Sequence, residues 1–131
     1  MKMHSFSNNM DDDVYGNIKY RKHVKDLYKH TLEYMIKYPN EIRCRHGAAV
    51  LKNNKIISFG RNHYKGFPKK SIHAERDAIM NCDRNALRDC TLLVIRISRD
   101  ITKEEMLISK PCHKCTKLIK AVKIPKIYYS V

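Results

Sequence analysis

The chain has 131 residues, of which 43% are hydrophobic, the size and apolar content of one ordinary domain that folds without crosslinks. It carries 27 Lys or Arg against 13 Asp or Glu, a formal net charge of +14. No stretch has the length and apolarity of a membrane span. Residues 1–13, MKMHSFSNNMDDD, lack the apolar run of a signal peptide, so the five cysteines are expected to stay reduced in a cytoplasmic protein.

Taken in chain order, residues 1–16 read as a polar tail and residues 17–131 as a single domain, since no repeat or Pro/Gly-rich linker divides them. From Ile18 to Tyr38, apolar or aromatic residues recur at Tyr20, Val24, Leu27, Tyr28, Thr31, Met35 and Tyr38, the three- and four-residue spacing of one helix face. Pro39-Asn40 ends that helix. Two apolar runs, Gly47 to Leu51 and Ile56 to Gly60, flank Asn53-Asn54 and predict a β-hairpin. A loop with Gly66 and Pro68 leads to a helix over His73 to Cys82. Thr91 to Ile97 (TLLVIRI) is the pattern of a buried central strand. Ile101 to Ser109 reads as inserted material that closes over a substrate or makes a subunit contact. Pro111 suits the first turn of a helix whose inner face is Leu118, Ile119 and Val122, and Ile127 to Val131 is a last short strand. Helices alternating with strands imply an α/β sandwich with at least one parallel crossover.

The charge is uneven: between Glu41 and Glu75 there are eight Lys or Arg and no acid. A phosphate-bearing substrate or a nucleic acid accounts for such a stretch, and so does a solvated basic surface. Arg61, Lys65, Lys69 and Lys70 are its candidates for a 5′-phosphate.

Chemistry concentrates in two motifs. Cys112 and Cys115, three apart at a helix start, project both sulfurs to one side, and the helix N-terminus favours their thiolates. His73 opens the other helix and reaches a zinc ion held by those sulfurs. Three protein ligands leave one tetrahedral position for water, the mark of a catalytic zinc site. Glu75, two residues past His73, sits beside that water as its proton carrier. H-x-E alone is a chance pattern, and C-x-x-C alone fits a redox pair or a structural zinc that would recruit His113, Cys82 or Cys90. The combination discriminates: each motif opens a helix, and a strand lies between them.

Through His73-Ala74-Glu75 and Pro111-Cys112-His113-Lys114-Cys115, roughly residues 45–131 resemble the cytidine and deoxycytidylate deaminase superfamily. The resemblance implies Zn2+ as cofactor, His73, Cys112 and Cys115 as ligands, and Glu75 as proton shuttle. It implies that the Ala74 backbone amide bonds the substrate ring and that Asn62 contacts its sugar. It also implies a three-layer α/β/α sandwich with a short mixed sheet of about four strands. The family's final strand is missing, because the chain stops at Val131, and the bare edge calls for a second subunit (a homo-oligomer) or the basic N-terminal helix.

A histidine as first ligand is similar to the deoxycytidylate and tRNA deaminase branches. Deamination of a cytosine nucleoside or nucleotide, dCMP or CMP foremost, is therefore the leading function. A deaminase acting on adenosine or cytidine within RNA or single-stranded DNA is the first alternative. A non-catalytic, basic zinc-containing RNA-binding module is the second.

Overall fold

Alternate residues of the central strands feed two separate cores, and this places helices on both sides of one sheet. The chain is described by a computed structural model over residues 2–6, 20–38, 45–68, 70–98, 100, 102 and 105–131. In order it forms β1 (Lys2–Phe6), α1 (Arg21–Lys37), β2 (His46–Lys52), β3 (Lys55–Arg61), β4 (His63–Lys65) and β5 (Lys70–Ile72). Then come α2 (Ala74–Met80), a 3-10 helix (Arg84–Asp89), β6 (Thr91–Ile97), β7 (Met106–Leu107), α3 (His113–Ala121) and β8 (Lys126–Ser130). Asp11-Asp12-Asp13, Ile18, Pro39-Asn40, Glu41, Lys69 and Ile101, all used in the sequence reading, lie outside the described residues.

On β2 and β6, Ala49, Leu51, Leu93, Ile95 and Ile97 face α1, where Val24, Leu27, Tyr28 and Met35 meet them. The intervening Ala48, Val50, Leu92 and Val94 face the other way, onto Ala74, Ala78 and Ile79 of α2 and Ile119 of α3. A strand covered on both faces needs apolar residues on both sides, and β6 supplies them unbroken from Leu92 to Ile95, with the half-buried Arg96 near its end. Of the helix face expected from spacing, Tyr20, Val24, Leu27, Tyr28, Thr31 and Met35 are buried, while Tyr38, just past the end of α1, is 38% exposed.

The sheet runs β1-β8-β6-β2-β3, with β7 paired to the end of β6 at Arg96 and Ile97. β2 is antiparallel to both β3 and β6, while β6, β8 and β1 are parallel. The β2–β3 hairpin turns at Asn53 and Asn54, whose φ angles of 51° and 63° match the left-handed pair that a two-residue hairpin connection requires. The β6–α3–β8 unit is the expected parallel crossover.

Two expectations are corrected here. The sheet has six strands, not about four, and the position beyond β8 is not bare. Lys2–Phe6 lies along β8 from Lys2 opposite Lys126 to Phe6 opposite Ser130, so the N-terminal segment read as a polar tail opens with a sheet strand. His4 stacks on Tyr128, centroids 4.8 Å apart, and Tyr20 packs on the same ring at 4.7 Å. The segment Lys2–Phe6 mixes polar and apolar residues too freely to signal a strand, and its pairing partner lies more than a hundred positions away. The bare edge therefore no longer argues for a second subunit. The supposed insertion is partly core: Met106 in β7 is buried against α1's side of the sheet.

Among the described residues no helix is long and apolar enough to cross a membrane.

Candidate metal centre and cleft

Two helix starts meet at one end of the sheet. His73 and Cys112 each occupy the residue just before a helix, with extended backbone (ψ of 153° and 173°), and neither side chain caps its own helix. Their carbonyl oxygens accept the first helical bonds, from Asp77 N–H at 3.0 Å and Thr116 N–H at 2.8 Å. Their side chains are thus left to turn toward each other. Cys115 follows one turn into α3, on the buried side. Pro111 lies just outside the helix rather than in its first turn.

The helices are tied to the sheet by specific bonds. Asp77 Oδ2 accepts from the Arg61 backbone N–H at 3.0 Å, and Ser58 Oγ donates to the Ala78 carbonyl at 2.7 Å. α2 also lies flush on β3 at Gly60, where a Cβ would collide with the Ala74 carbonyl oxygen and the Ala78 backbone nitrogen. Backbone on both sides gives that collision no easy relief. Gly60→Ala is therefore expected to cost about 1–3 kcal/mol in a denaturant melt. It also tilts the helix start carrying His73 and Glu75, so zinc affinity is expected to fall with it. A melt unchanged from wild type would refute this packing argument. Toward α3, buried Ser109 donates to the Val94 carbonyl at 2.8 Å and accepts from Ser130 N–H at 2.8 Å. This knot holds the approach to Pro111 and Cys112 against β6 and β8.

The result is a three-donor group. His73 Nδ1 lies 3.5 Å from Cys112 Sγ and 3.4 Å from Cys115 Sγ, and the three ligand atoms fall within 4.8 Å of one another. Zinc bonds of about 2.1 Å to nitrogen and 2.3 Å to sulfur, opened to a tetrahedral angle, separate the two donors by about 3.6 Å. The group fits the ion. His113, Cys82 and Cys90, which a four-ligand structural site would recruit, do not join it among the described residues.

Electrostatics point the same way, with one correction. Cys115 does not gain an easily ionised thiol from its helix start: burial above all, then Glu75 and Cys112, push it well above the ordinary thiol range. Two thiols and a carboxylate crowded together take up negative charge only with a cation among them. Burial likewise raises the Glu75 carboxyl, against the opposing pull of its own backbone N–H, His73 and Cys115. The Glu75 side chain is 5% exposed, in the first turn of α2.

Beside this group opens a cleft of about 190 Å³, whose wall includes Ala74, Glu75, Asn62, His46, Tyr64 and Lys110. Asn62 is buried, and its Oδ1 accepts the His46 backbone N–H at 3.0 Å, which leaves its amide nitrogen as the group it offers the cleft. The Ala74 N–H, at the first helical position, has no partner within the helix. His46 is kept neutral: burial chiefly, then Arg96 and His73, lower its pKa to about 4.

Arg61, the third residue expected to bind substrate, does not line the cleft. Side chains alternate along β3, so Arg61 points away from Asn62, and its guanidinium lies 3.8 Å over the Tyr34 ring of α1. His63 is also elsewhere occupied, its Nδ1 donating to the Arg61 carbonyl at 3.0 Å. Among the described residues of the basic run, only Lys70 lies near the centre, in a neighbouring groove. Tyr64 and Lys110 went unpredicted. Tyr64 sits on the β4–β5 hairpin, read as a loop from Gly66 and Pro68, and Lys110's adjacency to Pro111 was the one available signal.

A mixed sheet clad by helices on both faces, with a His/Cys/Cys donor set at two helix starts, defines a zinc-binding α/β protein of the deaminase fold. Residues 22–131 match the cytidine and deoxycytidylate deaminase zinc-binding region, and the chain belongs to that family. No curated protein matches it. Among solved structures, guanine deaminase from Bacillus subtilis is 20% identical with a TM-score of 0.61, over 84% of this chain and 62% of that one. The chain thus spans less than two thirds of that enzyme's length. The dCMP deaminase of cyanophage S-TIM5, in its apo form, is 23% identical with a TM-score of 0.54, over 82% of each chain. The same phage enzyme in complex with dCMP and dUMP is 21% identical with a TM-score of 0.52, over 83% of each. At these identities the likeness speaks for the fold.

Proposed function

We propose that the protein is a zinc-dependent hydrolytic deaminase that converts the cytosine ring of a nucleotide, dCMP or CMP foremost, into uracil and ammonia. The observation that carries this reading is Glu75, a buried carboxyl in the first helical turn after His73, lining the cleft beside a three-donor group. A zinc that only holds a fold together has no use for a carboxyl there, and this argues against the non-catalytic RNA-binding module.

His73, Cys112 and Cys115 hold the zinc ion, which when bound lowers the pKa of a water molecule to near neutrality. Glu75 takes the proton of the attacking water and delivers it to the exocyclic nitrogen. The water oxygen bonds to the amine-bearing ring carbon, the carbon–nitrogen bond breaks, ammonia leaves, and the remaining water proton moves from that oxygen to the adjacent ring nitrogen to give uracil. The raised affinity of Glu75 for a proton, which comes from its burial, suits it to hold that proton between the two transfers. The Ala74 N–H bonds the ring, Asn62 donates to the sugar, and Lys110 offers its ammonium to the 5′-phosphate. The phage enzyme solved with dCMP and dUMP supports this substrate choice; the guanine deaminase makes guanine the competitor to exclude. The reading keeps the protein in the cytoplasm, where Cys112 and Cys115 remain thiols, and leaves homo-oligomer formation to sedimentation.

The test is ammonia release by zinc-loaded protein on cytidine, deoxycytidine, CMP, dCMP, guanine and short RNA, with a chelated control. Turnover of dCMP or CMP above the nucleosides is expected. Turnover of guanine alone, or of no cytosine compound, overturns the reading.

Asn62 gives a finer check. Asn62→Asp keeps the acceptor for the His46 N–H but removes the donor, so KM for dCMP rises about tenfold while the fold holds. Asn62→Ala removes both and costs about 1–3 kcal/mol of stability as well, by stranding that N–H. If Asn62→Asp binds dCMP as wild type does, Asn62 serves the fold alone.

A further inference from the structure

Next to the cleft, a second groove of about 300 Å³ runs between β5 and the starts of α2 and α3. The two cavities divide the donor group between them. Cys112 lines the cleft, Cys115 lines the groove, and His73 lines both. Cys115 is otherwise buried, so the groove is the side from which a dissolved ligand approaches it.

Charge sets the groove apart from the cleft. Lys70, Arg76 and Lys114 stand around it, all exposed and none in an ion pair among the described residues. No acid lines the groove, whereas Glu75 lines the cleft. The sequence of α3 and its surroundings brings none near either: from Met106 to Val131 there are six lysines and no Asp or Glu. The nucleotide reading of the cleft employs Lys110 and leaves these three cations without a role. Three unpaired like charges repel a bare zinc ion and draw in an anion. Ile72 and Leu118 complete the wall and offer a metal nothing. An anion drawn in by the cations thus meets Cys115 and His73 as the only thiol and imidazole of the groove.

We propose that the groove of Lys70, Arg76 and Lys114 is the loading port of the metal centre, admitting zinc as an anionic carboxylate complex and passing it to Cys115 and His73. In that transfer the bonds from the carrier's carboxylates to zinc break as bonds from Cys115 Sγ, His73 and then Cys112 Sγ form. The two thiol protons pass to the freed carboxylates and to solvent, and no electron changes hands. The port serves the donor group whatever reaction the cleft performs.

A ligand exchange runs through the same port in both directions, so the zinc-loaded full chain is the sample. Zinc release into excess nitrilotriacetate, a tricarboxylate, is compared with release into phenanthroline, which is uncharged. Release into nitrilotriacetate is expected to rise with its concentration and to slow several-fold as salt screens the groove. Combined charge reversal, Arg76→Glu with Lys114→Glu, is expected to slow it about tenfold or more. Release into phenanthroline should stay within about threefold of wild type, because charge does not steer an uncharged ligand. That second rate, with zinc content unchanged, certifies an intact fold and donor group. Equal release into nitrilotriacetate by wild type and variant overturns the proposal. So does equal slowing with both chelators, which places the change in the donor group itself. Salt-independent release by the wild type overturns it without any variant. If Lys110→Glu, on the cleft side, slows nitrilotriacetate as much as the groove reversal does, the cleft is the port and the proposal fails. Because the readout is zinc and not ammonia, a wild type inert toward dCMP overturns the deaminase reading and leaves this result standing.

Discussion

Glu75→Gln is expected to leave one zinc ion per chain and an intact fold while ammonia release falls by about 10²–10⁴-fold. Glutamine has the shape of the carboxyl it replaces, so the packing under α2, where Ala74, Ala78 and Ile79 are fully buried, is undisturbed. What it cannot do is carry a proton. Stability should hold or rise, because the substitution removes an ionisable group whose burial already works against its charged form. Three measurements on one sample decide the matter: metal content, thermal melt and rate. Activity within about tenfold of wild type would place the proton carrier elsewhere. Loss of the metal would mean that Glu75 belongs to the donor set instead.

Cys115→Ser is the second large effect, and it separates the metal from the fold. Cys115 is 4% exposed and supplies the buried corner of the donor group, while His73 and Cys112 stand at the surface. Groups that merely orient a ligand cost 10–100-fold in metal affinity when changed, so loss of a ligand costs more than about 100-fold. The chain should nevertheless stay folded. Both hydrophobic clusters, around Leu93 and Ile95 on one face and Leu92 and Val94 on the other, are built without Cys115. Chelation of the wild type should reproduce the loss of activity, with restoration when zinc returns. A far-ultraviolet spectrum that collapses on chelation would show that the ion also holds the fold.

Local patterns were read correctly where a single element carries its own signal. The amphipathic period of α1, the Asn-Asn turn of the β2–β3 hairpin and the apolar run Leu92 to Ile95 of β6 each depend on near neighbours in the chain. The donor motifs are legible for the same reason. A ligand at the residue before a helix, and a second one turn later, is a matter of spacing within a few residues, as Cys112 and Cys115 demonstrate.

Where reading failed, the missing information was long-range. The pairing of Lys2–Phe6 with β8 joins the two ends of the sequence, and nothing in five mixed residues announces it. The polar wall of the cleft depended on which face of a strand each side chain takes. Asn62 and Arg61 are neighbours in sequence, yet one is buried at the cleft while the other stacks on Tyr34 of α1. The basic run was visible as charge but not as a place. Folding left Lys70 in the second groove, set Arg76 and Lys114 beside it from elsewhere in the chain, and brought Lys110 to the cleft.

A histidine and two cysteines at helix starts, with a glutamate in the first turn, were legible from the chain as a donor group with a carboxyl beside it, because such spacing is a local property. Tertiary structure alone decided the sheet's outer strand, the cleft's polar wall and the cationic groove beside it. Each of those is a meeting of residues from distant segments, and only close packing of the sheet and its helices brings them within reach of one ligand.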